Sequence, residues 1–246
     1  MKRAAKVLGV GLVVLVLLAV ATGFWLDSPR PTGRPGPEAD ALARRMTAAV
    51  DADAWARTQA VRFVFAGRNH HIWDRARGYA SVAWDDVQVV FDTATRRGFA
   101  WRGGARLADA GDLIDDAHAA WVNDTFWLNP VVKSFDPGVE RALVDEDALL
   151  VSFGSGGRTP GDAYLWTVGA DGRPTAWRMW VSILPIGGLK VSWAGWTRLS
   201  TGAWVATEHA LGPIDLRLTQ VEGAASLAAL LGDQPDPFAP LEQASP

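Results

Sequence analysis

Residues 61–104 read VRFVFAGRNHHIWDRARGYASVAWDDVQVVFDTATRRGFAWRGG. Apolar and polar residues alternate here with a period of two, the period of a half-buried strand. The short β-branched and aromatic segments VRFVFAG, HHIWDR, YASVAWDD, VQVVFDT and GFAWRGG are parted by Arg77-Gly78, Arg97-Gly98 and Gly103-Gly104, the turn chemistry that joins consecutive antiparallel strands. A five-stranded meander is therefore expected in about forty-five residues.

Upstream, EADALARRMTAAVDADAWART places Leu42, Met46, Ala49 and Val50 on one helical face, which predicts a helix over residues 39–57. Before it, Asp27 to Pro37 reads DSPRPTGRPGP; its prolines predict a stiff linker over residues 27–38. The first 26 residues have Lys2, Arg3 and Lys6 followed by the uncharged run Val7 to Leu26, long enough to cross a bilayer as a helix. Ala19-Val20-Ala21 fits a signal-peptide cleavage pattern, whereas the continuation through Phe24, Trp25 and Leu26 favours a retained N-terminal membrane anchor. Either way, the basic start places the remainder outside the cytoplasm, membrane-anchored or secreted, in the periplasm of a bacterial-type cell.

Downstream, Leu113, Ile114, Ala117 and Trp121 share a face of a second helix expected near residues 110–122, and the prolines of FWLNPVVKSFDPG interrupt regular structure. ALLVSF, DAYLWTVG, PTAWRMWVSI, GLKVSWAGW, AWVATEHAL and PIDLRLTQV then resume the strand style, with Asp171-Gly172 as a hairpin signal. The tail from Ala224 offers one short helix and a Pro-rich end expected to be disordered. The whole reads as one α+β domain over residues 39–223, a curved antiparallel sheet or open half-barrel with a helical lid over its concave face.

Composition excludes several chemistries. There is no Cys among the 246 residues, which removes thiolate metal sites, disulfides, cysteine nucleophiles and a lipid-modified cysteine. Without Lys2, Arg3 and Lys6 the balance is 21 basic against 27 acidic residues, which argues against nucleic acid as a partner. No glycine-rich dinucleotide or phosphate loop is present, and neither cofactor nor metal is expected. Thirteen Trp against two Tyr is the informative excess, because indoles suit surfaces with one apolar and one wet side.

The order of ALARRMTAAVDADAWART, VRFVFAG and paired strands ending in WRGG, with the later hairpin DAYLWTVGADGRPTAWRMWV and then GLKVSWAGWTRLSTGAW, resembles the LolA-like lipoprotein carriers and their outer-membrane lipoprotein-sorting relatives. Loosely, the resemblance covers residues 39–221. It implies an unclosed antiparallel barrel with helices as a lid over an apolar cavity, and a role in holding acyl chains in the periplasm. The chain departs from those soluble carriers in its anchor-like start and Pro-rich linker.

Alternation in AWRMWVSI puts Trp177, Met179, Val181 and Ile183 on one face and Arg178 and Trp180 on the other. With Trp84, Trp101 and Trp121 they form the candidate ligand wall, against which an acyl chain gains about 0.8 kcal/mol per buried methylene; ordinary core packing is the competing reading. His70-His71 with Asp74 is the most metal-like cluster, but adjacent strand residues point to opposite faces, and exposed histidines are expected. His118 and His209 stay unassigned. Ser155 sits among glycines without a nucleophile elbow, because Phe153 stands where the first glycine would be. Asp115-Asp116 and Asp145-Glu146-Asp147 read as solvated rather than as catalytic carboxylates, and Asn123-Asp124-Thr125 matches the glycosylation pattern only formally. The expected function is non-enzymatic binding of a lipid or acyl chain. A carbohydrate-binding module and a ligand-free interaction domain of an envelope complex are the alternatives, ahead of a hydrolase.

Overall fold

The computed structural model describes residues 27–154 and 161–243; the N-terminal hydrophobic run, Ser155 and the last three residues lie outside that range. The stretch expected as one helix forms two, α1 (Pro37–Ala49) and α2 (Ala52–Arg57). Between them Asp51 adopts a left-handed conformation, φ 53°, and its carboxylate accepts a hydrogen bond from Ala54 N at 2.9 Å. A capping side chain thus restarts the helix one turn later.

The meander is present as β1 (Ala60–Phe65), β2 (Asn69–Asp74), β3 (Tyr79–Trp84), β4 (Val87–Asp92) and β5 (Gly98–Arg102), with a short β6 (Ala105–Arg106). The second helix, α3, is longer than expected, Gly111–Phe126, and a 3₁₀ turn at Pro130–Lys133 follows it. The later strands are β7 (Val139–Asp145), β8 (Ala148–Phe153), β9 (Ala163–Val168), β10 (Pro174–Trp180), β11 (Leu189–Ser192), β12 (Thr197–Arg198), β13 (Trp204–Val205), β14 (Glu208–Leu211) and β15 (Ile214–Ala224). β7 has no counterpart in the sequence reading because Glu140 and Arg141 interrupt its alternation.

An eight-stranded sheet runs β14-β15-β1-β2-β3-β4-β5-β6 and a five-stranded sheet runs β11-β10-β9-β8-β7, all antiparallel. They meet where Ala194 bridges Glu208 and Ala210 N donates to Ser192 Oγ at 2.8 Å. The result is the α+β open half-barrel, not closed on itself, with β6 and β7 at its free edges. One edge is two residues long; the other is covered by the incoming chain, where Arg34 and Leu143 exchange both backbone hydrogen bonds at 2.8 Å. Short and covered edges are how such sheets avoid pairing with other chains.

The described part of the linker is laid along the domain as a strap. Ser28 N donates to Gly187 O at 3.1 Å, Trp180 Nε1 donates to Ser28 O at 2.7 Å, Arg30 donates to Ser152 Oγ, and Arg34 pairs with β7. It therefore crosses the convex face of the five-stranded sheet from β10 to β7. A Cβ on Gly33 would lie 2.8 Å from the Ala142 Cβ, so the backbone approaches β7 more closely than any other residue allows.

The described part of the tail, to residue 243, is likewise packed, against the expectation of disorder. α4 (Leu227–Leu231) and α5 (Ala239–Gln243) cover the convex face of the larger sheet, where Phe238 is fully buried with Val90 and Leu241. Arg77 ties this end down through Asp74 (2.6 Å), Asp236 (2.8 Å) and Glu242 (2.6 Å). One buried aromatic and a branched ion-pair set outweigh the prolines around them.

Candidate functional site

The concave face of the five-stranded sheet is an aromatic wall set by register. Leu149, Trp166, Trp177 and Val191 stand directly opposite one another across β8, β9, β10 and β11, and Val151, Tyr164, Met179 and Leu189 form the next row. Because strand side chains alternate between faces, these two rows point the same way. Ring centroids are close: Tyr164–Trp177 4.6 Å, Trp166–Trp177 4.8 Å and Trp177–Trp193 4.8 Å. The C-terminal end of α3 closes over them, with Phe126 stacked 6.0 Å and Trp127 tilted 5.1 Å from Trp177. Trp127 also packs on the neighbouring cluster around Phe63 and Leu128, and Trp73 joins that cluster to the one under α3. A continuous apolar layer therefore lines the concavity.

The residues expected to form one ligand wall are divided. Trp177 and Met179 are buried in it and Val181 packs at its border. Ile183 is 70 % exposed in the β10–β11 loop, because β10 ends at Trp180 and the alternation stops there. Trp84 and Trp121 lie on the concave side of the larger sheet, in the cluster with Phe91 and Ile114. Trp101 is on the convex side with Phe99 and Phe238, because Ala100, its neighbour on β5, takes the inward position. Missing from the expected wall are Tyr164, Trp166 and Trp193, although YLW and VSW carry the same alternation as WRM. Phe126, Trp127 and His209 give no periodic signal of their own.

Polar atoms inside this wall are poorly served. Trp177 Nε1, Trp193 Nε1 and both ring nitrogens of His209 are buried without a hydrogen bond of ordinary geometry. His209 is held between Trp193 (centroids 4.3 Å) and Trp127 (5.3 Å). Burial pushes its pKa down to about 4, only partly opposed by nearby backbone groups of Ser192, Ala206 and Trp127. The Tyr164 hydroxyl is pushed well above the usual phenol range, first by burial and then by the Asp162 carboxylate, so it stays neutral at any physiological pH.

A lowered histidine pKa means that the unfolded chain takes up a proton that the native state refuses. Stability from neutral His209 is therefore complete above about pH 6.5 and falls as pH drops toward 4, a loss of about 2 kcal/mol at pH 5. His209→Leu is expected to remove most of this loss. Urea midpoints of both proteins at pH 7.5 and pH 5 test it: an undiminished difference in the variant assigns the acid sensitivity elsewhere.

A second buried group links α3 to the larger sheet. The adjacent histidines take opposite faces, as alternation requires; His70 is exposed, but His71 is fully buried, against the expectation for both. Its ring stacks on Phe63 at 4.5 Å, and its Nε2 meets Asp124 Oδ2 at 2.7 Å. That carboxylate also accepts from Asn69 Nδ2 (2.8 Å) and Asn123 Nδ2 (2.9 Å). The formal glycosylation triplet therefore contains a core residue.

Among the described residues, no three His, Asp or Glu side chains converge as metal ligands do. Two adjoining open clefts, about 670 and 510 Å³, share Arg45, Asp145 and Glu146 at the β7–β8 turn; both are charged and neither includes a residue of the aromatic wall. Asp115 and Asp116 are exposed on α3, the former paired with Arg96 at 3.3 Å.

The fold and this wall define an open, antiparallel half-barrel protein with an aromatic concave face under helices. No known family profile matches the chain, and no curated protein matches it. Among solved structures, a DUF1329 family protein from Desulfovibrio piger ATCC 29098 is similar at 10 % identity and a TM-score of 0.40, over 76 % of this chain and 94 % of that one.

Proposed function

We propose that this is a cell-envelope protein that holds an apolar ligand, a lipid or the acyl chain of a lipoprotein, between the concave face of its sheet and the end of α3. The observation that carries this reading is the aromatic wall, in which the indole nitrogens of Trp177 and Trp193 are buried without partners. Each such atom costs about 1–3 kcal/mol, and leucine in the same places would avoid the cost. Local choices that work against stability concentrate at functional sites. An acyl chain fits the wall's apolar area, and its ester or carboxyl oxygens accept from the indole N–H groups. In the conformation described, Phe126 and Trp127 occupy the space, so entry requires the end of α3 to lift. The LolA-like resemblance points the same way. Sugar stacking is the weaker reading, because it needs indoles on an exposed face, and Trp166, Trp177 and Trp193 are buried.

The test is photo-crosslinking of the full chain with a diazirine-bearing fatty acid, mapped by peptide mass spectrometry and competed with unlabelled oleate. Competable crosslinks on β9, β10, β11 and the end of α3 are expected. Crosslinks confined to residues 1–26 and the outer loops would overturn the proposal.

A further inference from the structure

Four large hydrophobic side chains are exposed among the described residues: Phe135 (43 %), Ile183 (70 %), Leu184 (36 %) and Ile214 (59 %). Phe135 is covered on one face by the Arg141 guanidinium at 4.6 Å. The other three share one rim of the half-barrel. Ile183 and Leu184 lie in the β10–β11 loop, and Ile214 faces Leu211 at the tip of the β14–β15 hairpin. The alignment of β11 with β14 through Ala194–Glu208 and Ser192–Ala210 carries that tip toward Leu189, where the loop ends, and Leu189 and Leu211 pack on the same cluster.

The loop is built to hold its apolar residues outward. Leu184 N donates to Val181 O at 3.0 Å, Gly188 N to Met179 O at 2.9 Å, and Ser182 N to the buried Asp162 carboxylate at 3.2 Å. The N-terminal strap also begins here. Gly187 N donates to Asp27 Oδ1 at 2.7 Å, and a Cβ on Gly187 or Gly188 would collide with Trp180 or Ser28. The uncharged run Val7–Leu26 therefore joins the described chain at a residue fixed against this loop. Beside the loop, Arg178 and Lys190 face each other across β10 and β11, both exposed and neither in an ion pair among the described residues.

We propose that this rim, the β10–β11 loop with the β14–β15 tip, seats in the surface of the bilayer that residues 7–26 enter, with Ile183, Leu184 and Ile214 at the headgroup–acyl boundary and Arg178 and Lys190 toward anionic headgroups. Apolar side chains beside unpaired cations are the chemistry of an interfacial contact, and the one carboxylate on the hairpin tip, Asp215, is matched by Arg217 at 3.4 Å. The strap turns a tether into a fixed orientation, because the chain cannot swing away from the loop without breaking its contacts with Trp180, Gly187 and β7. The proposal rests on the hydrophobic run entering a membrane, and not on the acyl-binding reading.

The absence of cysteine allows a single reporter. The full chain carrying Ile183→Cys, labelled with a polarity-sensitive fluorophore, is reconstituted into vesicles of phosphatidylethanolamine and phosphatidylglycerol that contain doxyl-labelled lipid. Ala170→Cys, exposed in the turn at the other end of β10, is the comparison. Lipid quenching roughly threefold or more stronger at 183 than at 170 is expected for a label in the interface. With the label moved to Ile214→Cys, replacing Ile183 and Leu184 by Ser is expected to reduce the quenching. Equal quenching at 183 and 170 overturns the proposal. So does a blue-shifted label at 183 that lipid does not quench, since protein then covers the rim. These readouts do not depend on whether the concave wall takes up a fatty acid.

Discussion

Asp124→Ala is expected to lower the stability of the protein by about 2–5 kcal/mol, because it leaves two side-chain donors without their acceptor at about 1–3 kcal/mol each. The carboxylate sits on the last turns of α3 and accepts from His71, Asn69 and Asn123. Its loss leaves the buried His71 ring and the half-buried Asn69 amide without this partner, beside a His71 Nδ1 that already has none. Asp124→Asn keeps one acceptor and should cost less. Because the group joins β2 to α3, hydrogen exchange is expected to accelerate across residues 111–126 well before the sheet opens. Urea unfolding with exchange mass spectrometry measures both. A loss below 1 kcal/mol, or exchange unchanged in α3, would show that the helix is held by its apolar contacts alone.

Trp177→Ala is expected to cost about 3–5 kcal/mol, the range for removing a buried aromatic. The indole is 1 % exposed and touches Tyr164, Trp166, Trp193, Phe126 and Trp127, so the neighbours can only partly fill the space. Trp101→Ala, on the partly exposed convex side, should cost visibly less, and comparing the two urea midpoints tests the assignment of faces. Trp177→Asp or Met179→Asp would likewise disturb folding before binding, since both side chains are buried. Ligand affinity is better probed at Val181 or Trp196, which lie at the border of the wall.

Much of the fold can be read from the chain because period-two alternation survives in nearly every strand. The meander, the resumption of strands after α3 and the Asp171-Gly172 turn all follow from local chemistry. Which sheet face is concave does not. α4 and α5 cover the outside of the larger sheet, so both of its faces are apolar, and Trp101 carries the same local signal as Trp84. Nor can alternation predict its own end, which is why Ile183 fell outside the wall that Trp177 and Met179 do enter. The His71–Asp124 contact joins residues 53 apart, and a lone aspartate near a helix end gives no sign of burial. The tail misleads for a different reason: prolines describe local stiffness, whereas Phe238 and Arg77 supply long-range contacts that composition does not weigh.

The strand order bears on how this chain reaches its native state. β1, the first of the described strands to be made, lies in the interior of its sheet between β2 and β15, the last of them, with Ala60 opposite Ala224. Pairings so distant in sequence slow folding, because loop closure must precede the contacts that reward it. During synthesis the emerging meander has one long unpaired edge, on β1, until residues 214–224 arrive. A chain interrupted before that point keeps every strand of the first half and still presents Val61 to Phe65 as an open template, which makes the final strand a checkpoint against premature association.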